Sequence, residues 1–385
     1  MSVDSFLASG NSPGPFAPSR CRIALLGFGT VGAAIAARLA GGDPVDGLEL
    51  THILDRRAFA KRETLGDSRL AASAGIVWTT RVEDILTSDV DIVVEAIGGI
   101  EPAAEWIRAS LVAGKSVVSA NKQVIAHHGP ELFQLAERQG RQLRFEAAVG
   151  GAMPIVRAVS DGLAGDRLTR IVAIVNGTSN AVLSRMEATG CTLAQAVAVA
   201  RDRGWAEADP ATDLDGVDAR AKLAILCALG FRLRVDPTRI ETRSIAQLDP
   251  AEFQQVRRRG GTIRQLAFAD YDRARSALTA WVAPAIVPSS SIFARTSGAQ
   301  NAALITGEYA GEIGVFGAGA GGAATAVAAI GDLLTIARDR AAIVPAPVLR
   351  TPSIIKGLDR GTHIVGFAGS SGHPDESLGV IAEAV

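Results

Sequence analysis

Residues 204 to 222 read Gly-Trp-Ala-Glu-Ala-Asp-Pro-Ala-Thr-Asp-Leu-Asp-Gly-Val-Asp-Ala-Arg-Ala-Lys. Five carboxylates (Glu207, Asp209, Asp213, Asp215 and Asp218) stand ahead of one lysine, Lys222, and the apolar run Leu223 to Leu229 follows. Asp215-Gly216 has the composition of a helix start and Gly230 of a stop, so Asp218 and Lys222 share one helix face. A helix that begins acidic and turns apolar is buried at its far end, which puts Lys222 at the boundary of the core. Two chemistries fit that position. An exposed ion pair contributes about a few tenths of a kcal/mol. A lysine proton donor beside a pocket for an ammonium group would use both the cation and the acids.

A second constellation lies near the start of the chain. Gly27-Phe28-Gly29-Thr30-Val31-Gly32 follows the apolar run Ile23–Leu26 and opens the helical pattern Val31–Leu39. In that context the first glycine makes a tight turn, the second lets backbone approach a pyrophosphate, and the third lets helix pack on sheet. The helix start then offers free N–H groups to phosphate. Asp55 ends the next strand candidate, 23 residues beyond Gly32, where an acid meets an adenosine ribose. Its charge favours NAD, whereas Arg56-Arg57 immediately after it could receive the 2′-phosphate of NADP; the residues leave both open. Ile97, just past a further strand, is expected at the nicotinamide side of the crevice.

The elements that position these groups alternate. Strands are expected at Ile23–Leu26, Leu50–Leu54, Ile92–Ala96, Val117–Ser119 and Leu143–Glu146, with helices at Val31–Leu39, Pro102–Ala113 and Glu131–Gln139 between them. Such alternation implies a parallel sheet covered on both faces. After Pro154 the texture changes to a strand at Leu168–Val175, helices at Asn180–Ala188, Leu193–Arg203 and Val217–Leu229, and strands at Arg264–Phe268 and Ala277–Ala283. A glycine- and alanine-rich stretch from Phe316 to Ala324 leads into a helix at Thr325–Ala337. The expected class is α/β: a Rossmann-type parallel-sheet nucleotide-binding domain plus an α+β catalytic and dimerisation domain. The divisions are 1–20 as a disordered tail, 21–150, 151–315, a return loop and helix at 316–338, and a tail at 339–385.

At 385 residues two domains are natural, and 48% hydrophobic with 21% charged residues is a globular composition. A net charge of −1 offers no electrostatic footprint for nucleic acid or an anionic membrane. Cys21, Cys191 and Cys227 are scattered and odd in number, as suits reduced thiols in a cytoplasmic protein. The histidines never fall at zinc-ligand spacing, which argues against zinc-dependent alcohol oxidation.

Six motifs in order resemble homoserine dehydrogenases over residues 22 to 337: Glu95-Ala96-Ile97-Gly98-Gly99, Ser119-Ala120-Asn121-Lys122, Phe145 to Gly151, Asn176-Gly177-Thr178-Ser179-Asn180, the Gly204 to Lys222 stretch, and Gly317-Ala318-Gly319-Ala320-Gly321. The resemblance implies interconversion of L-aspartate 4-semialdehyde and L-homoserine with NADP or NAD. It further implies Lys222 as proton donor, Lys122 as a second lysine near cofactor and substrate, and Glu207, Asp213, Asp218, Gly177 and Thr178 as substrate contacts. Gly204 and Gly321 match positions that approach the cofactor. Glu146, Val149, Gly151 and Met153 match a loop whose carbonyls hold a monovalent cation such as sodium. The second domain is expected to form a homodimer interface. A free lysine titrates at about 10.4, so acid–base work near neutrality needs desolvation or a second positive charge. Convergence of Lys122 and Lys222 would supply that charge, with Asp218 pushing the other way.

Only 46 residues follow Asp339, too few for the ACT regulatory domain that many bacterial members carry. Threonine is therefore not expected to inhibit through such a domain, and Thr362–Val385 reads as a short docking tail. Two other readings compete: an amino-acid dehydrogenase, which would not need both lysines, and a nucleotide-responsive binding protein that has lost turnover.

Overall fold

The computed structural model describes residues 20–41, 45, 47–66, 70 and 75–358. The expectations for residues 1–19, for Gly42 and for Thr362–Val385 lie outside the described residues. Among the described residues no helix is long and apolar enough to cross a membrane.

Short runs of valine, isoleucine and leucine make the first sheet: β1 (Cys21–Leu26), β2 (Leu48–Leu54), β3 (Val77–Thr79), β4 (Ile92–Glu95), β5 (Ser116–Ser119) and β6 (Leu143–Arg144). Its order is β3-β2-β1-β4-β5-β6 and every pairing is parallel. Strand alternation sends Val93 and Val117 to one face and Ile92, Val94 and Val118 to the other. Both faces are covered, so the strands read as apolar runs without polar alternation. On one face lie Ile35 and Leu39 from the helix Thr30–Leu39, with Ala326, Ala329, Leu333 and Ile336 from the late helix Gly322–Arg338. The chain thus returns from its second domain to finish the core of its first.

The other face is covered by the helices Ala103–Val112 and Lys122–Arg138, and this core does not stop at the domain boundary. It runs on through Leu223, Ile225, Leu226 and Leu229 of the helix Val217–Gly230. That packing puts the helices of Lys122 and Lys222 side by side.

The second domain holds β7 (Leu168–Ile174), β8 (Glu241–Thr242), β9 (Gly261–Asp272), β10 (Ala277–Pro288), β11 (Gln300–Gly307), β12 (Gly311–Ala318) and β13 (Ile354–Lys356). The order is β12-β11-β7-β9-β10-β13, with β8 also on β10. Pairings are antiparallel except those of β8 and β13 with β10.

Three local expectations need correction. One helix runs from Lys122 to Arg138, where only Glu131–Gln139 was expected, because Pro130 sits inside it. Proline removes one N–H but permits helical φ, and the buried face of Val124, Ile125, Leu132 and Ala136 holds the two halves in line. Strand β6 stops at Arg144, and Glu146–Ala148 forms a 3₁₀ turn. The glycine-rich stretch begins as strand β12, since Gly314 and Gly317 sit where side chains would crowd Leu304 and Met153.

Candidate active site

Asp218 is the centre of the site. It lies in the first turn of the helix Val217–Gly230, and its side chain is only 5% exposed. Its Oδ1 is 2.8 Å from Lys122 Nζ and its Oδ2 is 2.7 Å from Lys222 Nζ. One buried carboxylate therefore binds a lysine from each domain. Lys222 Nζ also donates to the Val175 carbonyl at 2.7 Å, so two of its three N–H groups are committed. Burial pushes the Asp218 carboxyl up, but the charges of Lys222 and Lys122 outweigh it and hold the group below its ordinary value. The Asp218 charge in turn raises Lys122 against the effect of desolvation. Of the two opposing influences expected on Lys122, a second lysine and Asp218, the acid lies between the lysines and dominates.

Asp213 belongs to the short helix Ala211–Leu214. Burial and the neighbouring Asp218 raise its carboxyl, against a hydrogen bond from Asn176 and the charges of Lys222 and Lys122. Asn176 Nδ2 donates to Asp213 Oδ1 at 2.7 Å and to Asp218 Oδ2 at 2.8 Å. Glu207 is exposed on the preceding loop, close enough that its charge also raises Lys122.

Gly177 and Thr178 open the helix Gly177–Thr189, whose first amides have no intrahelical acceptor. The Thr178 hydroxyl, expected to donate to substrate, donates instead to the Trp205 carbonyl at 2.6 Å. Its backbone N–H remains the usable donor. Gly177 has no room for a side chain, since a Cβ would meet the Ala299 carbonyl oxygen and Ala320 Cβ at 2.9 Å each.

On the first domain, Glu95 at the end of β4 is fully buried and accepts from Ile97 N at 2.8 Å and Ser119 Oγ at 2.7 Å. It also receives Asn121 Nδ2 at 3.3 Å, while Asn121 Oδ1 caps the Lys122 helix by accepting from Gln123 N and Val124 N. Glu95 thus ties the Ile97 loop to the helix that presents Lys122. Burial raises its carboxyl, with those hydrogen bonds opposing.

In the glycine turn, Gly27 has φ +95° and a Cβ there would stand 2.7 Å from the Ala96 carbonyl oxygen. A Cβ on Gly32 would overlap the Gly27 carbonyl. Gly29, which precedes the helix as its cap, has no atom within 4 Å of a Cβ position, leaving one open side. Thr30 and Val31 form the first helical turn; Phe28 turns its ring inward, edge-on to Trp78 at 5.0 Å. Gly321, with φ +106°, caps the helix Gly322–Arg338, and a Cβ on Gly322 would lie 2.7 Å from the Thr30 carbonyl oxygen. Two helix N-termini therefore meet beside the open glycine, and their positive ends suit a pyrophosphate. A dinucleotide fits this cradle.

Asp55 receives Phe28 N at 3.0 Å, Arg57 N at 2.9 Å and Lys61 Nζ at 2.5 Å. Burial raises this carboxyl, but the Lys61 and backbone hydrogen bonds outweigh it and keep the group ionised. Arg56 is exposed beside it, whereas Gly204 (φ +69°) is exposed after the helix Leu193–Asp202 with open space around its Cβ position.

In the Glu146–Met153 loop, the Glu146 carbonyl accepts Val149 N at 3.4 Å and the Met153 carbonyl accepts Ile155 N at 2.8 Å, each keeping a second lone pair. Gly151 has φ +66°, and a Cβ there would meet the Ala318 carbonyl oxygen at 2.6 Å. The Glu146 side chain points elsewhere, accepting Val156 N and Arg157 N at 2.9 Å each; burial pushes its carboxyl up to about 7. No group of three His, Cys, Asp or Glu side chains placed for a metal occurs among the described residues.

Sequence reasoning quoted Asn176 and Glu95 within motifs without giving them a role, and passed over Lys61. Asn176 had a readable signal, a capping asparagine after a strand. Lys61 had none, because its reach to Asp55 depends on how the helix Ala58–Thr64 docks.

A parallel sheet in this order, with a glycine turn and an adjoining lysine–aspartate cluster, defines an NAD(P)-binding oxidoreductase. The family model for homoserine dehydrogenase matches residues 154–334, and that for the homoserine dehydrogenase NAD-binding domain matches residues 27–146. The homoserine dehydrogenase of Mycobacterium leprae is 40% identical over 325 residues, covering 83% of this chain and 72% of that protein. The solved homoserine dehydrogenase of Thiobacillus denitrificans superposes with TM-score 0.77 at 32% identity, over 88% of this chain and 80% of the other. A hyperthermophilic archaeal homoserine dehydrogenase in complex with NADPH gives TM-score 0.69 at 28% identity, over 85% and 99% respectively. The chain belongs to the homoserine dehydrogenase family, and it is an oxidoreductase acting on a CH–OH group.

Proposed function

We propose that the chain interconverts L-aspartate 4-semialdehyde and L-homoserine with Lys222 as proton donor. The observation that carries this reading is Asp218, buried between Lys122 and Lys222, where the two domains meet. When bound, the nicotinamide supplies or takes up the hydride. Lys222 has one N–H left after Val175 and Asp218 and gives that proton to the substrate oxygen as the carbonyl becomes an alcohol. Lys122, 38% exposed in its side chain, remains accessible as a second cation against the same oxygen. Asp213 and Glu207 take the substrate ammonium, and the Gly177 and Thr178 amides take its carboxylate.

The roles of Gly27 to Gly32, Ile97, Gly204 and Gly321 toward the cofactor belong to the same proposal. Lys61 neutralises much of the repulsion that Asp55 would exert on a 2′-phosphate, and with Arg56 it supports use of NADPH. The archaeal relative in complex with NADPH supports the same choice. A monovalent cation in the Glu146, Val149, Gly151 and Met153 loop is supported by Asn301. This side chain is fully buried, its Oδ1 has no hydrogen-bond partner, and its Nδ2 lies 3.4 Å from the Gly150 carbonyl. Homodimerisation through the second sheet is supported by its edge strand β12, where Phe316 is exposed. Purified protein, homoserine and each nicotinamide cofactor in turn, followed by absorbance of the reduced nicotinamide, test the reaction and the cofactor choice together. No reduction with either cofactor sinks the proposal.

A further inference from the structure

Asn176 has no part in the chemistry described so far, yet its amide is the only neutral donor shared by the two central carboxylates among the described residues. We propose that Asn176 is a positioning residue whose Nδ2 clamps Asp213 and Asp218 together, so that Asp213 holds the substrate ammonium while Asp218 serves the two lysines. The inference rests on the functional reading above and adds a residue to it.

The geometry separates two jobs within one side chain. Asn176 Oδ1 accepts Ser179 N at 2.7 Å and caps the helix Gly177–Thr189. Both hydrogens of Nδ2 are spent on carboxylates, at 2.7 Å and 2.8 Å. The residue is buried, so water offers no competing partner. The preceding residue, Val175, supplies the carbonyl that holds Lys222, so one dipeptide at the end of β7 fixes the lysine and both acids.

Two carboxylates against one nitrogen repel, and the donor between them offsets the repulsion. The charged groups facing Asp213 are Asp218 and Lys222 on the helix Val217–Gly230 and Lys122 on the helix Lys122–Arg138. Glu207, on the loop before it, acts on Lys122. Both lysines already bind Asp218 directly, so Asn176 is the group whose loss Asp213 would feel without a replacement. Removing Nδ2 makes Asp213 take a proton at higher pH and surrender the substrate ammonium. The Asp218–Lys222 contact persists, so the proton donor is less affected.

A helix cap alone would need only Oδ1. Serine and threonine keep an oxygen acceptor at that position and lack the amide hydrogens. Asn176→Ser and Asn176→Thr therefore preserve the cap and delete the clamp. The test is kcat and KM for homoserine against pH for wild type and both variants, with thermal melts and a carbon-detected NMR titration of the Asp213 carboxyl. Expected are melts near wild type, KM raised about tenfold or more, a smaller fall in kcat, and an acid limb of kcat/KM moved to higher pH with the Asp213 titration. In an Asp213→Asn background, Asn176→Ser should raise KM no further. Wild-type KM and acid limb in both variants would overturn the inference, as would a collapse of both melts, which would make the role structural. If wild type itself fails to oxidise homoserine, the functional reading falls, and the Asp213 titration still decides the clamp.

Discussion

Replacing Lys222 with alanine separates proton donation from everything else the site does. Loss of a positioned general acid lowers turnover by about a hundredfold to ten-thousandfold, which raises the barrier by about 3–5 kcal/mol. The fold should tolerate the change. Asp218 loses one lysine but keeps Lys122 at 2.8 Å and Asn176 at 2.8 Å, so it is not orphaned. Stability should therefore fall by less than the about 3–5 kcal/mol that stranding a buried charge costs. The Val175 carbonyl loses its donor, a further cost of about 1 kcal/mol. Nucleotide binding, measured by fluorescence titration, should persist because the glycine turn lies on the other domain. Lys222→Arg sharpens the test, since it keeps a cation near Asp218 but cannot release a proton near neutrality. Steady-state turnover with homoserine is the readout. A folded Lys222→Ala variant that turns over within about tenfold of wild type, or an arginine variant that restores the rate, would refute the assignment.

Three other outcomes follow from the same geometry. Gly27→Ala would place a Cβ 2.7 Å from the Ala96 carbonyl oxygen at φ +95°, so nucleotide affinity should fall at least about tenfold; unchanged affinity by fluorescence titration would contradict this account of the turn. Glu146 titrates at about 7 folded against 4.5 unfolded, so its contribution is fully present below 4.5 and lost as pH rises through 7. That window spans about 3 kcal/mol, and Glu146→Gln should flatten it in urea unfolding midpoints measured along the range. Lys61→Ala should weaken NADPH binding more than NADH binding, because it bares the Asp55 charge toward the 2′-phosphate; equal losses in a paired titration would count against that role.

Much of the site was written locally. A turn such as Gly27 to Gly32 depends on nearest-neighbour backbone geometry, and the pairing of Asp218 with Lys222 needs only one helical turn. The helix from Lys122 was half hidden because Pro130 is a strong local stop whose cost the tertiary packing of Leu132 and Ala136 overrides. Strand β12 was hidden for a related reason. Its glycines carry no strand signal, and they are needed because Met153 and Leu304 press against them.

The amino-acid sequence by itself determined the two chemical constellations, the alternating elements of the dinucleotide domain, and the family these motifs share. Only the tertiary structure decided that Lys122 and Lys222 meet on one carboxylate, that Lys61 sits on Asp55, and that the helix Gly322–Arg338 returns to put its N-terminus beside the glycine turn. Apart from Lys61 and Asp55, which are six residues apart, those contacts join groups far apart along the chain. Their distances are set by how apolar faces pack across the two domains, which no local pattern of residues records.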